Sequence, residues 1–88
     1  MDNSQLRILV VEDHIDTAYG LKIYFTAKGH EVEVAPDVTS ARELALRERF
    51  DILLSDLILP DGNGWDLLRD LRARGAQFRA IDIGFWRI

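Results

Sequence analysis

A chain of 88 residues with a formal net charge of −4 and no cysteine is short enough for one domain, and the missing thiols exclude disulfides and thiolate zinc sites. No apolar run approaches the roughly 20 residues of a membrane span and no basic start leads into a cleavable apolar segment, so a cytoplasmic location with no membrane partner is expected. The acidic balance, with basic residues scattered apart from a mild excess at Arg69, Arg72, Arg74, Arg79 and Arg87, favours solvated helix faces over a nucleic-acid surface, and direct nucleic-acid binding is not expected.

The first element is LRILVV, residues 6–11, a continuous apolar run whose length suits a strand covered on both faces. DTAYGLKIYFTAKG follows, with Ala18, Leu21 and Phe25 at spacings of three and four and Gly29 as a left-handed stop, which predicts a helix. HEVEVA, residues 30–35, alternates apolar and charged and reads as a strand with one wet face, near a sheet edge. In PDVTSARELALRER, Asp37 is the expected N-cap and Ala41, Leu44 and Ala45 the inward stripe. FDILLSD carries a second buried strand over 51–55, Asn63 caps a third helix with Leu67, Leu68 and Leu71 inward and Gly75 at its end, and FRAIDIGFWRI reads as a last strand.

The order β-α-β-α-β-α-β implies a parallel sheet with right-handed crossovers. An edge-like second strand beside buried first and third strands fits the flavodoxin-like order 2-1-3-4. In such sheets ligands sit beyond the carboxyl ends of the strands, where the strand order reverses. The first strand ends in VVEDH, giving Glu12 and Asp13, and the third in LLSD, giving Asp56. Three carboxylates in one crevice repel each other and call for a counter-charge. A hard divalent cation with oxygen ligands, Mg²⁺ foremost, answers that need, and an aspartate beside it can act as a nucleophile toward phosphorus. Taken singly, Asp13 also reads as a helix cap, Glu12 as a solvated loop acid and Asp56 as a turn aspartate. After the third strand, Pro60 turns the chain, Gly62 and Gly64 are expected to supply positive φ, and the Ile58 carbonyl faces the same crevice as a further protein ligand.

RILVVEDH, GHEVEVAPDVTSARELAL and FDILLSDLILPDGNGWDLL together resemble the receiver domain of two-component response regulators, over residues 6–75. The resemblance implies that a sensor histidine kinase or phosphotransfer protein passes a phosphoryl group to Asp56. It also implies Mg²⁺ held directly by Asp13, Asp56 and the Ile58 carbonyl, with Glu12 reaching it through water. The domain is then a phosphoacceptor rather than an enzyme in the usual sense. The family continues with a helix, a strand and a helix that the sequence lacks, so residues 1–88 read as one truncated receiver-like domain with a divergent tail at 76–88. Its hydroxyl position falls on Gly84, and its lysine has no counterpart, since Lys22 and Lys28 lie on the first helix. Phosphotransfer is therefore expected to be impaired.

Along the tail, Ile81, Ile83 and Phe85 alternate with Asp82, Gly84 and Trp86. A strand of this kind with a bare edge can pair with another chain, so a homo-oligomer through residues 79–86 is expected. That opens a second reading, an interaction module that is not phosphorylated. A third, a haloacid-dehalogenase-like phosphatase, needs an acid two residues after the nucleophile, where Ile58 stands. His14 reads as a solvated loop histidine beside the acids, His30 as the start of an edge strand, and Trp65 as a local packing residue.

Overall fold

The computed structural model describes residues 5–84. In chain order these form β1 (Arg7–Val11), α1 (Ile15–Ala27), β2 (Glu31–Ala35), α2 (Val38–Arg47), β3 (Ile52–Ser55), β4 (Ile58–Leu59), β5 (Gly62–Asn63), α3 (Gly64–Ala73) and β6 (Ala80–Ile83). The main sheet is parallel with order β2-β1-β3-β6. This is the 2-1-3-4 order expected of a flavodoxin-like sheet, because β4 and β5 form a separate antiparallel pair.

Alternation along β1 divides the core between the two faces of the sheet. Leu9 and Val11 pack with Leu53, Leu67, Leu68 and Leu71 on the side of α2 and α3, whereas Ile8 and Val10 meet Val32, with Leu21 and Phe25 of α1 packed against them. β2 buries Val32 and Ala35 and exposes Glu31 and Glu33, as an edge strand with one wet face should. Where the chain enters β1, the Leu6 amide donates to His30 Nδ1 at 3.1 Å, so His30 tethers that entry and is more than the start of a strand.

Local capping residues hold as read. Asp37 accepts from the Ser40 amide and Asn63 from the Asp66 amide, and Gly29 and Gly75 adopt positive φ after their helices. Two expectations are corrected. The segment after β3 is a short hairpin and not a plain loop, and neither Gly62 nor Gly64 has positive φ. Gly62 is needed for space instead, since a Cβ there would stand 3.1 Å from Val38 Cγ2. Of the tail, β6 pairs with β3 over Ala80–Ile83 and Ile81 packs on the core; Phe85 and Trp86 lie outside the described residues. Among the described residues no helix is long and apolar enough to cross a membrane.

Candidate phosphoacceptor and metal site

The carboxyl ends of β1 and β3 are fixed by backbone bonds one residue beyond the strands. The Glu12 amide donates to Ala35 O at 3.0 Å and the Asp56 amide to Val11 O at 2.8 Å. Because Val11 is in register with Ser55, the next residues, Glu12 and Asp56, stand side by side at the point where strand order reverses. They are 1% and 2% exposed, so two carboxylates lose most of their water at adjoining strand ends, an arrangement that favours a compensating cation.

Glu12 Oε2 accepts from the His14 amide at 3.0 Å and lies 3.2 Å from His14 Nδ1, which is in turn 3.6 Å from Asp13 Oδ1. Ligand atoms of Glu12, Asp13 and His14 all lie within 4.8 Å of one another. Asp13 does not cap α1, for the N-cap position is His14 and no side chain caps that end. His14 thus belongs to the cluster instead of standing apart in solvent, although its side chain is 57% exposed. The spacing of two residues from Glu12 carries no signal by itself; the turn between β1 and α1 creates the contact.

On the far side, the Ser55 hydroxyl donates to Asp56 O at 2.8 Å and the Gly84 amide to Ser55 O at 2.8 Å. The Gly64 amide donates to Leu57 O at 2.9 Å, which makes Leu57–Gly64 a hydrogen-bonded pair and the neighbouring Ile58–Asn63 a non-hydrogen-bonded one. The Ile58 carbonyl is therefore turned away from β5.

Asp61, a residue that sequence reading passed over, holds the hairpin against α2. Its carboxylate accepts from the Val38 and Thr39 amides at 2.7 and 3.0 Å and from the Thr39 hydroxyl at 2.8 Å. With Asp37 on the Ser40 amide, the first three amides of α2 are satisfied by two aspartates. The Val38 amide, then the Thr39 hydroxyl, hold the Asp61 carboxyl below the usual carboxylate value. Gly84, expected from sequence at the family's hydroxyl position, has φ +71, and a Cβ there would meet Leu57 Cβ at 3.4 Å.

Carboxylates at these strand ends are the hard oxygen donors that a divalent cation of the Mg²⁺ class takes. Trp65, expected to pack locally, keeps 55% of its surface exposed beside Leu68, Arg69 and Arg72.

The family model described as response regulator receiver domain matches residues 8–84, a span that starts two residues inside the stretch 6–75 read as family-like from sequence and runs on through β6. The DNA-binding response regulator MtrA of Mycobacterium bovis is 41% identical over 73 residues, 83% of this chain and 32% of that protein. The transcriptional regulatory protein CusR of Escherichia coli is 35% identical over 68 residues, 77% of this chain and 30% of that protein. The chain thus spans about a third of the length of these curated relatives. Among solved structures, the chemotaxis response regulator CheY4 of Vibrio cholerae superposes with a TM-score of 0.85 at 27% identity, covering 91% of this chain and 68% of that one.

Proposed function

Because the chain belongs to the response regulator receiver domain family, we propose that residues 1–88 act as one receiver domain that accepts a phosphoryl group on Asp56 from a phosphohistidine of a sensor histidine kinase or phosphotransfer protein. A carboxylate oxygen of Asp56 attacks phosphorus, the P–N bond to the donor histidine breaks, and its electron pair returns to the imidazole, which takes a proton. The product is an acyl phosphate on Asp56. Glu12, Asp13, Asp56 and the Ile58 carbonyl would hold Mg²⁺, which neutralises charge on the transferring phosphoryl oxygens when bound. Glu12 is oriented by the His14 amide and ring, and the hairpin turns the Ile58 carbonyl away from β5, free for such a ligand role. The chain is modified itself rather than turning over a substrate, and a location in the cytoplasm belongs to the same reading.

The observation that carries this reading is the burial of Glu12 and Asp56 side by side at the β1 and β3 ends. A partner helix has a surface to meet next to it: Ile15, Tyr19 and Ile23 of α1, spaced by four, are 70%, 54% and 69% exposed. Incubation with acetyl phosphate and Mg²⁺ should add one phosphoryl group by intact mass, absent in Asp56→Asn. An unmodified wild-type mass overturns the reading.

The second reading, an interaction module assembling through residues 79–86, draws on Gly84, whose φ of +71 suits no hydroxyl residue, and on the outer edge of β6, which pairs only with β3 among the described strands. Sedimentation that finds only monomer across concentration excludes it.

A further inference from the structure

We infer that His14 is a direct ligand of the divalent cation and shifts the acidic hollow from Mg²⁺ toward nitrogen-seeking first-row metals. This role rests on the cation reading of the hollow given above. Two ligands about 2.1 Å from one metal lie about 3.0 Å apart at right angles and about 3.4 Å apart at a tetrahedral angle. His14 Nδ1 is 3.2 Å from Glu12 Oε2, a hydrogen bond in the ion-free chain, and 3.6 Å from Asp13 Oδ1, so the three ligand atoms, all within 4.8 Å of one another, reach ion-sharing distances with small shifts. The approach is made without a change of fold, because Glu12 is held from below by the His14 amide and the ring leaves the chain at the first residue before α1. With an ion bound, the ring would carry its proton on Nε2 and give the Nδ1 lone pair to the metal in place of the hydrogen bond to Glu12.

Oxygen donors alone suit Mg²⁺, Ca²⁺ and Mn²⁺, whereas imidazole suits Zn²⁺, Co²⁺ and Ni²⁺. Mg²⁺ keeps its waters and gains little from a nitrogen ligand. His14 therefore contributes selectivity more than affinity for Mg²⁺. Its 57% exposure lets the ring leave solvent for the metal without displacing packed neighbours.

The test is calorimetric titration of the 88-residue chain with Co²⁺ and with Mg²⁺ in one buffer for wild type, His14→Ala and His14→Gln. The visible spectrum of bound Co²⁺ reports on its ligands. The expected result is a Co²⁺-over-Mg²⁺ preference that falls about tenfold or more in both variants, a shifted Co²⁺ spectrum, little change in Mg²⁺ affinity, and displacement of Co²⁺ from wild type by excess Mg²⁺. A preference and spectrum unchanged in both variants overturn the role of His14 while the Mg²⁺ reading stands. Absence of Mg²⁺ uptake by folded wild type overturns the Mg²⁺ reading; Co²⁺ uptake that still depends on His14 would then leave the ligand assignment in place.

Discussion

Removing one carboxylate from the hollow should stabilise the cation-free protein. Glu12 and Asp56 follow a registered pair on adjacent parallel strands, which run about 4.8 Å apart, and both are almost fully buried. For scale, two unit charges held apart by about one strand spacing repel by about 3 kcal/mol at an effective dielectric constant near 20 and by about 0.8 kcal/mol in water, and by less as the two carboxylates splay apart. Asp56→Asn keeps the shape and removes the charge, so it should raise stability by about 1–3 kcal/mol in the absence of divalent cations, the gain lying nearer the upper figure the drier the hollow. For a domain of this size that is a rise in Tm of several degrees, at about 4–8 °C per kcal/mol. Mg²⁺ acts in the opposite sense on the difference: at about a hundred times its Kd it adds about 2.7 kcal/mol to the wild type and less to the variant, which has lost a ligand. Urea unfolding of both proteins in EDTA and in Mg²⁺ measures all four values. A variant less stable than wild type in EDTA, or one that gains as much from Mg²⁺, would refute the reasoning, because the two carboxylates would then neither repel across the hollow nor share a cation.

Other perturbations test the frame around the site. Leu67 is fully buried between α3 and the sheet, so Leu67→Ala should cost about 2–5 kcal/mol by urea unfolding and leave the Mg²⁺ increment intact. Gly84→Ser places a side chain on a residue at φ +71 and should cost about 1–2 kcal/mol, read as a fall in Tm. Asp70 bridges helices by accepting from Arg42 Nε at 2.7 Å, and Arg42, then Arg74, hold its carboxyl below the ordinary value of 3.8. A carboxyl lowered in the folded state contributes stability above that ordinary value, and the contribution is lost as pH falls through the folded one. The acid limb of the wild-type unfolding midpoint should therefore flatten in Asp70→Asn.

How far the sequence can be read depends on how local each cause is. Leu67, Leu68 and Leu71 follow from helical spacing, and the caps Asp37 and Asn63 bond amides three residues on, so both kinds of residue declare themselves within one turn. Val11 and Ser55 end apolar runs that parallel pairing must bring together, and for that reason Glu12 and Asp56 were legible as neighbours from topology alone. Gly62 was misread because its constraint is Val38 Cγ2 at 3.1 Å, a tertiary contact that imitates the need for a turn glycine. Asp61 was missed because its acceptors' partners lie 22 and 23 residues upstream, a distance at which a single sequence carries no pattern. His14 gives no sequence signal because its contact with Glu12, two residues away, exists only through the β1–α1 turn.

Asp61 is also the residue through which the hairpin after Asp56 is tied to α2, and its removal separates two caps that overlap in space. Asp61 holds the Val38 and Thr39 amides, whereas Asp37 holds that of Ser40. In Asp61→Ala, hydrogen exchange should therefore quicken at Val38 and Thr39 and stay slow at Ser40; in Asp37→Ala the order should reverse. Leu59, 6% exposed in the core, keeps one strand of the hairpin seated when Asp61 is gone, but the turn that follows it loses three acceptor contacts. The Ile58 carbonyl, one residue before Leu59, then loses part of its support, so Mg²⁺ binding should weaken in Asp61→Ala and persist in Asp37→Ala. Equal exchange at all three amides in either variant would mean that the two aspartates act as one cap, and that the hairpin is held to α2 by packing of Gly62 on Val38 rather than by the carboxylate.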